Sequence, residues 1–242
     1  MAQAYDAARM AENVARIREE MAQAARDAGR APEEVRLCAV CKTRLPETVR
    51  ESALLPVDLF GENHMQELLV NHAAGAYLEK PVHFIGHLQT NKVKKVVGVA
   101  HCIQSVDSAR LLEAIGKEAE KQGLVQDILL ELNIGEESTK TGAAADALFP
   151  LLERAEALTS VRVRGLMAIP PAFDNSDESR RYFAMLRELL EQARGRHYAR
   201  ALLDTLSMGM SGSYLAAIRE GATIVRVGTA IYGPRDYPQK AL

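Results

Sequence analysis

Residues 204–229, DTLSMGMSGSYLAAIREGATIVRVGT, hold one full period of the pattern that decides the fold. Asp204–Met208 is a short apolar run and a glycine–serine loop follows it. Ser213–Glu220 has apolar residues at helical spacing, and Ile224–Gly228 is apolar and β-branched again. The order is strand, loop, helix, strand. A strand that reaches the next one through a helix predicts parallel pairing.

The same period repeats toward the N-terminus. Strand candidates are Val35–Val40, Leu59–Gly61, Val82–Gly86, His101–Val106, Ile128–Asn133 and Val163–Ile169. Helical spacing lies between them over Pro46–Leu54, Met65–Leu78, Asn91–Val97, Ser108–Gln122, Ala144–Leu158 and Glu178–Arg194. Ala2–Ala28 reads as a leading amphipathic helix that ends near Gly29. Eight strand candidates in 242 residues give about 30 residues per unit, the size of a βα repeat. The prediction is α/β: a single (β/α)8 TIM barrel over 1–242 with an extra N-terminal helix. The rival is an open doubly wound sheet. It needs a glycine-rich dinucleotide turn, and neither G-x-G-x-x-G nor G-x-x-x-x-G-K-[ST] occurs. No linker or shift in composition divides the chain, and Pro170–Asp177 reads as a polar loop.

Composition narrows the function classes. Hydrophobic residues make up 48% and charged residues 26%, which excludes a disordered or collagen-like chain. Thirty basic against 32 acidic residues leave no basic excess for nucleic acid. No apolar stretch approaches the roughly 18 residues of a membrane helix, and the N-terminus lacks a secretory layout. The expectations are a cytoplasmic protein with no nucleic acid and no membrane partner. Three cysteines are too few for a disulfide framework. Cys38 and Cys41 form a C-x-x-C, but in a strand residues three apart point to opposite faces. Two core cysteines are expected, rather than a redox pair or zinc site.

In a barrel of this kind the C-terminal strand ends carry the chemistry. Those ends hold Lys42-Thr43, Glu62-Asn63, Gly86-His87-Leu88-Gln89, Ser105, Asn133, Met167-Ala168-Ile169-Pro170, Ser207 through Ser211, and Arg226 with Gly228 and Thr229. Ser207, Ser211, Gly209, Gly212 and Gly228 suit a phosphate between the last two loops, with Ser213 as the cap of the following helix. A plain turn fits the same residues. Lys42 closes an apolar strand, so its stem starts in the barrel mouth. Desolvated there, a lysine has a depressed pKa and can form a Schiff base, whereas a rim lysine snorkels into water. Lysine, phosphate cradle and strand-borne arginine in one mouth match what pyridoxal phosphate requires. A barrel that binds another phosphorylated metabolite without a Schiff base stays open.

Further stretches have weaker chemistry. His83 and His87 lack nearby acidic co-ligands, so no metal site is expected. Asn91-Lys92-Val93-Lys94-Lys95 reads as a solvated basic face. Glu136–Gly142 is a polar loop on the candidate rim and fits a lid or a solvated turn.

The segments AVCKTR (39–44), FGENHMQE (60–67), HFIGHLQTNK (83–92), QSVDS (104–108), ELNIGEESTKTG (131–142), RGLMAIP (164–170), LSMGMS (206–211) and VRVGTAIYGPRDY (225–237) resemble the pyridoxal phosphate homeostasis proteins, the proline synthetase co-transcribed homologues. They follow the family order across nearly the whole chain. The resemblance implies a barrel like the alanine racemase N-terminal domain (fold type III), with pyridoxal 5'-phosphate as a Schiff base on Lys42. It implies that Arg226 faces the pyridine nitrogen and that Ser211, Gly228 and Thr229 hold the phosphate. It further implies that Asn63, Met167 and Ser207 line the cofactor. Gly212-Ser213-Tyr214 and Thr90 depart from the usual family residues.

The implied role is intracellular pyridoxal phosphate homeostasis: a carrier or buffer that affects amino-acid and keto-acid balance, with apo pyridoxal phosphate enzymes as recipients and a monomeric state. An arginine at the ring nitrogen leaves that nitrogen unprotonated and weakens the electron sink. The racemase tyrosine base comes from a further domain, for which a chain ending at Leu242 has no room. Tyr232 and Tyr237 have no evident path to the far face of a substrate. No catalytic residue is therefore assigned. The alternative is a pyridoxal phosphate-dependent amino-acid racemase or related enzyme.

Overall fold

The computed structural model describes residues 7–135, 141–171 and 176–234. Parts of the predicted lid loop (136–140), of the polar loop after strand six (172–175), and the start and end of the chain, with position 237, lie outside the described residues. The strands are β1 (Arg36–Val40), β2 (Leu59–Glu62), β3 (Val82–Phe84), β4 (Cys102–Val106), β5 (Gln126–Leu132), β6 (Val161–Ala168), β7 (Thr205–Ser207) and β8 (Ile224–Val227). The helices are α1 (Ala7–Asp27), α2 (Pro46–Ala53), α3 (Met65–Ala73), α4 (Ala109–Gln122), α5 (Leu148–Glu156), α6 (Arg180–Arg194), α7 (Tyr214–Arg219) and α8 (Thr229–Tyr232). The strands pair in parallel in sequence order, and β1 closes on β8 from Arg36 opposite Ile224 to Ala39 opposite Val227. This is the predicted eight-stranded barrel with its extra N-terminal helix.

Alternation along each strand sorts residues into two cores. Leu37, Ala39 and Cys41 pack outward with Phe60, Val225 and Val227 beneath the helices. Cys38, Val40, Leu59, Ile85 and Ile224 fill the inside, beside a second interior cluster of Cys102, Leu129 and Met167. Cys38 and Cys41 are both buried free thiols on opposite faces of β1, as period two demands. The interior is a packed layer of side chains, which is usual for barrels of this type.

Local signals explain the helix ends. Ser108 caps α4 by accepting from Leu111 N at 3.4 Å, and Gly123 ends it in the left-handed region at φ 69°. α1 buries Met10, Val14, Ile17 and Met21 in one stripe against α7 and α8. Each such side chain contributes roughly 1.5–3 kcal/mol. Three sequence expectations need correction. The helix expected over Asn91–Val97 is a 3-10 turn, Thr90–Lys95, because only Val93 within it is buried and no apolar stripe forms. The helix expected to reach Leu78 stops at Ala73, before Gly75 takes φ 60°. Strand six begins earlier, at Val161, because Arg162 and Arg164 pair with Asp127 and Asp204 at the barrel base.

Candidate functional site

A cavity of about 230 Å³ opens at the C-terminal ends of the strands. Val40 and Lys42 line it from the end of β1, Asn63 from the end of β2, and Ile85 follows β3. Ile169 follows β6, Met210, Ser211 and Gly212 follow β7, and Arg226, Gly228 and Thr229 come from β8 and the start of α8. Six of the eight predicted site residues thus line one cavity. Met167 and Ser207 lie one level deeper, each fully buried. A larger groove of about 480 Å³ runs outside the barrel beside α4 and α5, where Arg154 and Glu113 pair with each other.

Lys42 stands at the corner of a tight turn in which Arg44 N donates to Cys41 O at 3.0 Å. Thr43 takes φ 65° there, a left-handed conformation that costs a non-glycine residue of the order of 1 kcal/mol. Arg44 then donates to the carbonyls of Gly233 and Pro234 and lies 5.5 Å from the Tyr232 ring centroid. The lysine turn is thereby fastened to the end of α8. Close approach fixes the neighbouring strand end: a Cβ on Gly86 would sit 2.1 Å from Asn63 O. Only glycine lets β3 leave the barrel beside Asn63.

The floor is a directional chain of buried polar groups. Arg226 Nη1 donates to Ser207 Oγ at 2.7 Å, and Nη2 donates to Ala168 O at 3.0 Å. Ser207 Oγ, having accepted from the arginine, donates to Gln104 Oε1 at 2.6 Å. That leaves Gln104 Nε2 as donor to His83 Nδ1 at 2.7 Å. His83 is thereby fixed as the tautomer with its proton on Nε2. Burial, with Arg36 and His101 adding to it, holds its pKa down to about 3. Arg226 is only 4% exposed and makes no ion pair among the described residues. Burial pulls its pKa below the usual range, and Cys38 and Glu131 oppose that shift. Glu131 is itself buried, accepts from Thr141 Oγ1 at 2.7 Å, and has its pKa raised by burial.

The opposite wall gathers backbone donors. Gly228 N and Ala230 N both donate to Ser211 Oγ at 3.3 Å, so two N–H groups at the start of α8 converge on a single oxygen. A Cβ on Gly228 would press on Val40 O at 3.2 Å and close this space. Gly209, at φ 88°, bends the β7 loop so that its carbonyl accepts from Arg226 N at 3.0 Å. Ser213 stands before α7 as expected, but its hydroxyl accepts from Met210 N rather than capping the helix. A primary amine, a buried guanidinium and converging N–H groups around one cavity suit a ligand with a carbonyl, a hydrogen-bond acceptor and an anionic group.

Gln104, His83 and Glu131 brace the floor of the site in ways that the sequence did not reveal, and Glu62, expected at the rim, instead turns away from the mouth. For His83, Gln104 and Glu131 a signal was available, since each is a polar side chain within a mostly apolar strand.

Comparison with known proteins follows the same lines. The model of the alanine racemase N-terminal domain family matches residues 6–236. A pyridoxal phosphate homeostasis protein of Aquifex aeolicus is 43% identical over 226 residues, covering 93% of this chain and 98% of the relative. One from Pseudomonas aeruginosa is 39% identical over 228 residues, covering 94% and 96%. PipY of Synechococcus elongatus, solved with PLP bound, superposes with a TM-score of 0.81 at 31% identity, covering 93% of this chain and all of that one.

Proposed function

We propose a function from one premise: the chain belongs to the pyridoxal phosphate homeostasis proteins, within the alanine racemase N-terminal-domain family. It binds pyridoxal 5'-phosphate in the barrel mouth and buffers its intracellular supply. The observation that carries this reading is Arg226. A guanidinium buried to 4% exposure, held by a hydroxyl and a carbonyl and by no carboxylate among the described residues, fits a ligand that brings the acceptor.

The residues present fit the cofactor. Gly228 N and Ala230 N already converge on an oxygen, and with Ser211 and Thr229 they would hold the phosphate. Lys42 would hold the aldehyde carbon as a Schiff base. Arg226 would donate to the pyridine nitrogen, and Asn63 would line the ring, with Met167 and Ser207 supporting from below. When bound, the cofactor supplies an aldehyde that amines capture reversibly and a ring that withdraws electrons. An arginine at that position would keep its own proton rather than transfer it to the ring nitrogen, which would favour holding the cofactor over turnover. In this reading the barrel, a single domain over 1–242, acts as a cytoplasmic monomer with apo pyridoxal phosphate enzymes as recipients. No described helix is long and apolar enough to cross a membrane.

Absorption titration tests the reading. Adding pyridoxal phosphate to the parent produces a visible band that Lys42→Ala abolishes, and borohydride fixes the label on the Lys42 peptide. No Lys42-dependent band overturns the proposal. Steady conversion of an amino acid by the loaded protein, lost in Lys42→Ala, would favour an enzyme instead.

A further inference from the structure

Glu62 ends β2 with its side chain turned away from the mouth, into the space between the barrel and α3, where it is fully buried. Three donors converge on one of its oxygens. Asn71 Nδ2 reaches Oε1 at 2.7 Å, Cys41 Sγ at 3.0 Å and Tyr77 Oη at 3.1 Å. Oε2 is equally buried and receives no donor, and no lysine or arginine pairs with Glu62 among the described residues. A carboxylate has two equivalent oxygens, so this arrangement would bury a charge with half of it unsatisfied. A carboxylic acid has one acceptor oxygen and one hydroxyl, and the asymmetry then matches the chemistry.

The partner for that hydroxyl is in view. Asn71 Oδ1 belongs to the same amide that donates to Oε1, and it too is buried without a donor. A proton on Oε2 donated to Asn71 Oδ1 closes a cyclic acid–amide pair and satisfies both orphans. We propose that Glu62 is a neutral carboxylic acid with its proton on Oε2, and that in this form it is a positioning residue for Lys42 and Asn63. The surroundings agree. Burial pushes the Glu62 carboxyl up, and Glu67 of α3, the other charged group facing it, adds to that shift. The Cys41 thiol and Tyr77 phenol are pushed up as well, chiefly by burial, so both keep their donor protons.

The positional role follows from the chain. Cys41 precedes Lys42, and Glu62 precedes Asn63. Cys41 N donates to Gly61 O at 3.1 Å, and Ile85 N donates to Glu62 O at 2.8 Å. One side chain therefore pins the ends of β1 and β2, with β3 tied on through its backbone. Ionisation would break the pair with Asn71 and draw water toward Oε2.

The protonation state concerns the unliganded protein, and the positioning role rests on the proposed function. Isotope-edited infrared spectra of the ¹³C-glutamate parent at neutral pH show a protonated-carboxyl C=O stretch that Glu62→Gln removes. The folding constant of the parent, relative to Glu62→Gln, falls by up to about tenfold per pH unit as pH rises from about 4.5 to the raised pKa of the folded carboxyl and levels off above it, because the folded state binds the extra proton in that window. Glutamine offers the same acceptor and an N–H to Asn71, so Glu62→Gln keeps the Lys42-dependent band. Glu62→Ala loses at least about tenfold in pyridoxal phosphate affinity. Absence of the protonated-carboxyl band in the folded parent overturns the neutral acid, and so does a band that survives in Glu62→Gln but is removed by Glu131→Gln, since Glu131 is a second buried carboxyl that burial pushes up. Unchanged affinity in Glu62→Ala overturns the positioning role. A parent that shows the Glu62-dependent infrared band but gives no pyridoxal phosphate band refutes the proposed function and the positioning role together, while the neutral acid stands.

Discussion

Replacing Ser207 with alanine removes one hydroxyl and leaves two buried groups without partners. Arg226 Nη1 loses its acceptor at 2.7 Å, and Gln104 Oε1 loses its donor at 2.6 Å. A hydrogen bond to a charged donor contributes about 1.5–3 kcal/mol, and a bare buried acceptor costs about 1–3 kcal/mol. Shape contributes little, since alanine fills almost the same volume. The expected loss is about 3–5 kcal/mol, a large share of the roughly 5–15 kcal/mol that holds a typical domain together. Urea unfolding followed by circular dichroism measures it as a lower midpoint at an unchanged slope. The chain of donors makes a second, sharper demand. In a Gln104→Met background no acceptor waits for the Ser207 proton, so Ser207→Ala there costs at least about 1 kcal/mol less. A single-variant loss below about 1 kcal/mol, or strictly additive effects, would refute the directional chain.

Three other outcomes are expected. Gly86→Ala drives a Cβ into Asn63 O, 2.1 Å away, so the backbone must move; stability drops by about 2 kcal/mol or more in thermal unfolding, and pyridoxal phosphate binding weakens with it. Gly228→Ala meets Val40 O at 3.2 Å without a strained φ; calorimetric titration gives an affinity for pyridoxal phosphate lower by about tenfold, while the melting temperature stays near the parent's. His83 is held neutral with a pKa of about 3 against 6.5 unfolded, so its contribution is present above 6.5 and is lost as pH falls toward 3. The parent loses up to about 1.4 kcal/mol per pH unit in that window relative to His83→Gln, measured by urea midpoints. Glu62 has the opposite sign over an overlapping range, so only parent-minus-variant differences isolate either group.

The barrel was legible because period-two runs and 3.6-period runs alternate at nearly constant spacing, and the shortened connections at Met65–Ala73 and Thr90–Lys95 leave the strand order intact. That Lys42, Asn63, Ser211, Arg226, Gly228 and Thr229 would line one cavity was legible because barrel topology sends every strand end to one rim. What the sequence hid was depth. Whether Ser207 touches a ligand or braces Arg226 depends on strand stagger, which no spacing along the chain encodes. Glu62 hid for a different reason: it neighbours Asn63 but points the other way, and its three donors come from the turn after β1, from α3 and from the turn beyond α3. Strand six was expected to start at Val163, short of Val161, because Arg162 reads as an exposed charge beside the strand until Asp127 of β5 pairs with it.

Beneath the mouth, Cys38, Leu59, Cys102, Leu129, Met167 and Ile224 are at most 4% exposed and leave the barrel solid through its middle. The molecule is a blind well. A ligand seated on the Arg226 floor arrives and departs through the same opening, so its residence time is governed by the rim and the bonds below it. Any protein that draws a ligand directly from this well must dock over that rim, where it stands in the path of every other molecule seeking entry.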